Sequence, residues 1–163
     1  LDEGQYDAIV LAAAGLIRLG AEGRIRARFE TAAMLPCAGQ GALAIETCAD
    51  AGALLARLGA FSHAATRLAV AAERAVSRVL GGSCSMPLAA HASWRGDTLV
   101  LDAAVGHPAE SAAPLLRAQT SGRVADEHAA EALGGDAARA LLAAGAAPYL
   151  AAAERLAAIP DAP

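Results

Sequence analysis

The sequence predicts α/β segments at the start of the chain and an α+β domain after them. Short continuous apolar runs at residues 6–14 and 42–46 are typical of strands that are covered on both faces. From Ser62 onward, a long amphipathic helix pattern precedes three strand-like runs and an alanine-rich tail with leucine at helical spacing. This change of pattern predicts a domain boundary near residues 59–62.

The first third of the chain has the pattern of a parallel sheet with several strands missing. The strand predicted at residues 6–14 leads into helix-like spacing over residues 16–25. Asp50 is the expected N-cap of a helix that ends near Leu58. Two buried strands do not make a stable parallel sheet without hydrogen-bonding neighbours. We therefore expect the remaining strands to lie elsewhere, upstream in a longer polypeptide.

A long helix is predicted after Ser62, whose hydroxyl can cap the first turn. Gly81 and Gly82 are expected to end this helix. Its apolar stripe consists of Leu68, Ala72, Ala75, Val76 and Val79.

Three strands and two helices are predicted in the rest of the chain. The strands are expected at residues 86–93, 98–105 and 113–120. Helices are expected at 124–144, with a weak point at Gly134 and Gly135, and at 148–158. A helix, three antiparallel strands and two further helices make an α+β domain.

Composition and charge narrow the functional classes. The 163 residues carry a net charge of −4 and have a pI near 5.5, so the basic surface of a nucleic-acid or anionic-membrane binder is not expected. All 13 cationic residues are arginine, and the absence of lysine excludes a lysine Schiff base. A small molecule or a protein is therefore the expected partner. GC-rich codon usage accounts for most of the arginines, and the alternative for a few of them is carboxylate binding, because the guanidinium group pairs with a carboxylate through two parallel hydrogen bonds.

The three cysteines, Cys37, Cys48 and Cys84, are too few and too widely spaced for a disulfide framework or a Cys-x-x-Cys zinc site. The four histidines also lack metal-ligand spacing, and no metal site is expected. No signal-peptide pattern precedes Leu1, so a reducing, cytoplasmic location is predicted. His91 can face either the loop around Cys84 or the core, and the pattern favours the core.

Cys84 lies in a loop between the predicted long helix and the first strand. Glycines and a serine precede it, and Pro87 fixes the chain after it. Two interpretations stay open from these residues alone. The thiol is either a small buried apolar group or a reactive nucleophile next to a ligand.

Three blocks of sequence resemble one enzyme family. They read YDAIVLAAAGLIRLG at residues 6–20, LPCAGQGALAIE at 35–46 and ERAVSRVLGGSCSMPLA at 73–89. In content and order they resemble segments of the porphobilinogen deaminases, also called hydroxymethylbilane synthases. Met86 stands where the family usually has a β-branched residue, and Cys37 with Ala38 replaces the commoner Ala-Val. Both changes keep an apolar group of similar bulk.

The resemblance implies a role for Cys84. In this family the cysteine holds a dipyrromethane cofactor through a thioether. The enzyme extends that cofactor by four porphobilinogen units, with loss of ammonia at each step, and releases hydroxymethylbilane. The resemblance therefore implies a transferase of porphyrin and heme biosynthesis that binds porphobilinogen and the growing oligopyrrole.

The resemblance also implies a set of cofactor-binding residues. Each pyrrole carries an acetate and a propionate, so arginines and backbone amides are needed to bind them. Besides Cys84, the implied residues are Arg18, Arg74, Gln40, Gly41, Leu11 and Ala12. Nine further arginines are assigned to solvated surfaces: Arg24, Arg26, Arg28, Arg67, Arg78, Arg117, Arg123, Arg139 and Arg155.

The resemblance implies three domain assignments. Residues 1–33 correspond to the end of the family's second α/β domain, and residues 34–60 to a segment that returns to the first. Both belong to periplasmic-binding-protein-like folds. Residues 61–163 form the α+β domain that bears the cofactor. The catalytic aspartate is expected upstream, so the chain is expected to need an N-terminal half, to be inactive alone and to be monomeric when complete.

A second function is weighed against this one. The chain could be a non-catalytic, ligand-binding or regulatory α+β module whose cysteine is only a buried structural residue. A covalent adduct with the mass of two pyrrole units on the thiol would favour the first hypothesis.

Overall fold

The computed structural model describes residues 1–83 and 86–158. The chain divides into two units, Leu1–Met34 and Leu35–Pro163. The first unit contains a short helix, α1 (Ala13–Arg18), and a 3-10 turn at Glu22–Arg24. None of its residues is buried. The assignment of residues 1–33, 34–60 and 61–163 to three family domains stays a prediction.

The strands predicted at residues 6–14 and 42–46 are wrong, because neither range has strand structure. A buried parallel strand needs hydrogen-bonding neighbours on both sides, and these two ranges have no neighbouring strand among the described residues. The residues with helix-like spacing, 16–25, belong to two elements, α1 and the 3-10 turn. Gly20, with φ +69°, interrupts the helix between them.

The second unit begins its regular structure with α2 (Gly52–Gly59) and α3 (Ala64–Val79). The predicted caps are each displaced by one residue. Ala51, not Asp50, is the N-cap of α2, and its side chain makes no capping bond. His63, not Ser62, caps α3, because its Nδ1 accepts a hydrogen bond of 3.3 Å from the amide of Thr66.

The predicted glycine stop of α3 is confirmed. Gly81 has φ +77°, which is the left-handed conformation that follows many helix ends. The Gly82 amide donates to the Ser77 carbonyl at 2.6 Å, and the Gly81 amide donates to the Arg78 carbonyl at 3.4 Å. These two bonds form a Schellman motif, which fixes the chain two residues before Cys84.

The sheet contains β1 (Leu88–Arg95), β2 (Thr98–Val105) and β3 (Leu116–Arg123) in the order β1-β2-β3, with both pairs antiparallel. The three-stranded antiparallel sheet is therefore confirmed. Its third strand begins three residues later than predicted, after Pro114, which has no amide to donate to the ladder.

Two helices, α4 (Glu127–Ala143) and α5 (Ala146–Ala157), complete the unit. The weak point predicted at Gly134 and Gly135 does not interrupt α4, and both glycines are buried within it. The core lies between α3, α4 and the sheet, and its largest fully buried side chains are Leu99, Leu101, Leu141, Val76 and Val105. This arrangement confirms the α+β class.

None of the helices in residues 1–83 and 86–158 combines the length and apolarity that a bilayer-spanning helix requires.

Candidate functional site

A cavity of about 360 Å³ lies within the second unit, between the loop that precedes α2, the first half of α3 and the second half of β1. It is large enough for part of a small organic ligand. Apolar side chains supply much of its wall, and polar groups stand among them. The polar lining residues are Gln40, His63, Thr66, Glu73, His91 and Trp94.

Glu73 connects three segments around this cavity. It lies on α3 and is only 6% exposed. Its Oε2 accepts a hydrogen bond of 2.7 Å from the amide of Gly39, and its Oε1 accepts one of 2.8 Å from the amide of Ala92 on β1. A buried carboxylate is costly unless such donors satisfy it, so these two bonds account for its burial.

The outer edge of β1 is satisfied by groups that do not belong to a strand. The amide of Ala90 donates to the carbonyl of Pro36 at 3.0 Å, and the amide of Ala92 donates to Glu73. Because residues two apart along a strand point their amides to the same side, the two bonds lie along one edge. The loop and the glutamate together replace a fourth strand there.

His91 lines the cavity, with its side chain 33% exposed and its Nδ1 3.7 Å from Oε1 of Glu73. The preference for a core position is therefore wrong. β1 alternates its faces, and Ala90 and Ala92 are the buried neighbours while His91 points to the other side.

The loop at residues 36–41 carries Gln40 and Gly41 to the cavity wall. Gly39 and Gly41 have φ +76° and +82°, a conformation that favours glycine. The thiol of Cys37 donates to Oε1 of Gln40 at 3.1 Å. Across the cavity, Nε1 of Trp94 donates to the Ala65 carbonyl at 3.0 Å, which holds the indole against α3.

The other predicted binding residues belong to the first unit, to the exposed face of α3, or to the part of the chain outside the described residues. Leu11, Ala12 and Arg18 are exposed residues of the first unit, just before and at the end of α1. Arg74 is exposed on α3. Cys84, the predicted anchor, lies outside the described residues.

Sequence reasoning treated Glu73 only as part of a family signature and did not assign it to the site. A usable signal was present, because Glu73 stands between Ala69, Ala72 and Val76 on the apolar stripe of α3. A charged residue at such a position is almost never buried without partners. No comparable sequence signal marks His63 and Trp94, because they reach the cavity only when α3 packs against β1.

Across residues 1–83 and 86–158, no group of three or more histidine, cysteine, aspartate or glutamate side chains is arranged to hold a metal ion.

Fold and site together define an α+β domain with a cavity of about 360 Å³ at the edge of its sheet. Comparison with known proteins then identifies the family. Residues 1–56 match the model described as "Porphobilinogen deaminase, dipyromethane cofactor binding domain", and residues 67–143 match "Porphobilinogen deaminase, C-terminal domain". The chain belongs to the porphobilinogen deaminase family.

Curated relatives support the same assignment. Porphobilinogen deaminase of Albidiferax ferrireducens is 54% identical over 144 residues, which are 88% of this chain and 45% of that protein. The enzyme of Burkholderia thailandensis is 53% identical over 134 residues, 82% of this chain and 40% of its own length. That of Chromobacterium violaceum is 49% identical over 152 residues, 93% and 48% respectively. The chain thus spans less than half the length of these relatives.

Proposed function

We propose that this chain supplies the C-terminal part of a porphobilinogen deaminase, a transferase that joins four porphobilinogen units into hydroxymethylbilane with release of ammonia. One observation carries the proposal. The cavity is built where the two matched segments meet, because Gln40 and Gly41 come from the first, while Glu73, His91 and Trp94 come from the second. A site of this kind requires both segments to be present together.

The groups around the cavity suit a dipyrromethane cofactor in part. The Gln40 side-chain amide can accept from a pyrrole N–H or donate to a carboxylate, and the Trp94 ring offers an apolar face. When bound through a thioether to Cys84, the cofactor would supply the primer that is elongated. The chain's own residues would hold and orient that primer.

Among the described residues, no arginine lines the cavity, so ligand carboxylates would have to be bound by arginines outside its wall. Arg18 and Arg74 have no carboxylate partner within residues 1–83 and 86–158, and neither do Arg26, Arg57, Arg95, Arg117 and Arg155. Six arginines that we assigned to surfaces do have one: Arg24, Arg28, Arg67, Arg78, Arg123 and Arg139. A guanidinium without an internal partner is free to bind a ligand carboxylate, but this property does not distinguish Arg18 and Arg74 from the other five. We retain these two arginines, and Leu11 and Ala12, as binding residues because of the family resemblance.

The proposal assigns the remaining functions to sequence that this chain does not contain. The catalytic aspartate and the other strands of two periplasmic-binding-protein-like domains would come from an N-terminal part. We accordingly expect the 163 residues alone to form no tetrapyrrole from porphobilinogen. The completed protein would act as a monomer in the cytoplasm.

A chimera tests the proposal directly. The segment of the Albidiferax ferrireducens relative that aligns with this chain would be replaced by these 163 residues. We expect the chimera to consume porphobilinogen, to release ammonia and to carry an adduct of two pyrrole units by denaturing mass spectrometry. Cys84→Ser should abolish both adduct and turnover, because a hydroxyl is a far weaker nucleophile than a thiolate.

Cys48→Ser is the matched control, since Cys48 is exposed and outside the cavity. It should keep both the adduct and turnover. An inactive chimera that is folded by circular dichroism would contradict the proposal and favour a non-catalytic module. An adduct that persists in Cys84→Ser would contradict the assignment of the anchor.

A further inference from the structure

Glu73 is a buried carboxylate that the proposed reaction does not use. It is 34 residues from Gly39 and 19 from Ala92, yet it binds both backbone amides, at 2.7 and 2.8 Å. Hydrogen bonds to an ionised acceptor are stronger than those between neutral groups. The carboxylate therefore joins the loop at residues 36–41 to α3 and β1.

The loop has further attachments that complete this anchor. Ala38 packs against the hydrophobic core, and the Pro36 carbonyl accepts from Ala90. Gly39 lies beside α3, because a Cβ built on it would be in ordinary van der Waals contact with Cγ1 of Val70, at 4.0 Å. These contacts attach Pro36 and Ala38 to the second unit, and Glu73 adds a hydrogen bond to Gly39.

Gln40 follows Gly39 directly, so its place on the cavity wall depends on how Gly39 is held. The same carboxylate binds Ala92, which lies between His91 and Trp94 on the part of the cavity wall that β1 forms. We propose that Glu73 is a positioning residue, which sets the separation of the two cavity walls through the amides of Gly39 and Ala92. If the proposed function holds, this separation controls how tightly the porphobilinogen-derived ligand is bound.

Substitution Glu73→Gln tests the proposal, because glutamine keeps the shape but can accept only through its single oxygen. The nitrogen end then faces an amide donor. In the chain itself, hydrogen exchange should accelerate by about tenfold or more at the Gly39 amide and across residues 36–41. Leu141→Ala is the matched control, since it opens a cavity in the core and leaves the Glu73 bonds intact. At equal loss of global stability it should not accelerate exchange selectively in this loop.

In the active chimera, Glu73→Gln should raise the KM for porphobilinogen by about fivefold or more while kcat changes by less than about twofold. Leu141→Ala, corrected for the folded fraction, should leave KM unchanged. Three results would each overturn the proposal. The first is unchanged hydrogen exchange of the loop in Glu73→Gln, and the second is an equal acceleration of loop exchange in Leu141→Ala. The third is a Glu73→Gln variant whose loop exchanges faster but whose KM is unchanged. If the proposed function is wrong, the chimera that keeps Glu73 will show no turnover. The loop-exchange measurement does not depend on turnover, so the two failures can be told apart.

Discussion

Gly134 marks the closest approach of α4 to α3. A Cβ built on it would overlap the Ala72 carbonyl oxygen and lie 2.6 Å from Cβ of Ala75. We expect Gly134→Ala to lower the free energy of unfolding by about 2 kcal/mol or more, because backbone and a short side chain are in the way and neither can rotate aside. Chemical denaturation measured by circular dichroism checks this.

Gly135→Ala is the adjacent control for that prediction. Its added Cβ would meet only Nη1 of Arg139, at 3.3 Å, which is the end of a flexible side chain. We expect this variant to gain up to about 1 kcal/mol from the better helix propensity of alanine. Equal effects at the two positions would contradict the proposed close approach.

Single residues of the candidate site were predictable to different degrees. Gln40 and Gly41 were singled out by a resemblance over a short local block, and they do line the cavity, although their binding role stays a prediction. The contacts of Glu73 and His91 form only when α3 packs beside β1. Their contacts come from residues far away in sequence, so no local pattern specifies them.

Among the elements, β2 has the bounds that the sequence predicts, Thr98–Val105. The hairpin turn marks its start, and the end of the apolar run marks its last residue. Residues 6–14 have a similarly apolar run but are not a strand. The difference is in the partners, since β2 pairs with β1 and β3 from its own domain. Apolar composition indicates burial, whereas strand formation requires a neighbour to accept and donate hydrogen bonds.

The start of α4 is fixed by Asp126, whose side chain accepts from the Ala129 amide at 2.8 Å. Asp126→Ala should lower the free energy of unfolding by about 1 kcal/mol, because an N-terminal amide of the helix loses its acceptor. Asp126→Asn keeps a capping oxygen and should cost much less. Thermal and chemical denaturation of both variants check the prediction, and an equal loss in both would show that charge rather than capping matters.

At the scale of the whole molecule, the buried residues are confined to the second unit. The described core runs from Leu68 to Ala153, whereas no residue of Leu1–Met34 is buried. We expect a variant that begins at Leu35 to retain a cooperative unfolding transition. Gly134→Ala should destabilise it by the same free energy as in the 163-residue chain, since distant independent changes add. Loss of cooperativity on truncation, measured by circular dichroism, would contradict this.

The hydrogen bonds made by the amides of Ala90 and Ala92 also determine where a strand of another molecule can add to this sheet. Because a proline carbonyl and a carboxylate already occupy those two amides, a strand from a second molecule meets no free donors there. Lateral self-association is thereby directed to β3, where Arg117 and Arg123 stand exposed along the strand. The charge of Arg117 disfavours pairing with the same strand of another copy, whereas the charge of Arg123 is already paired with Asp97 at 3.0 Å.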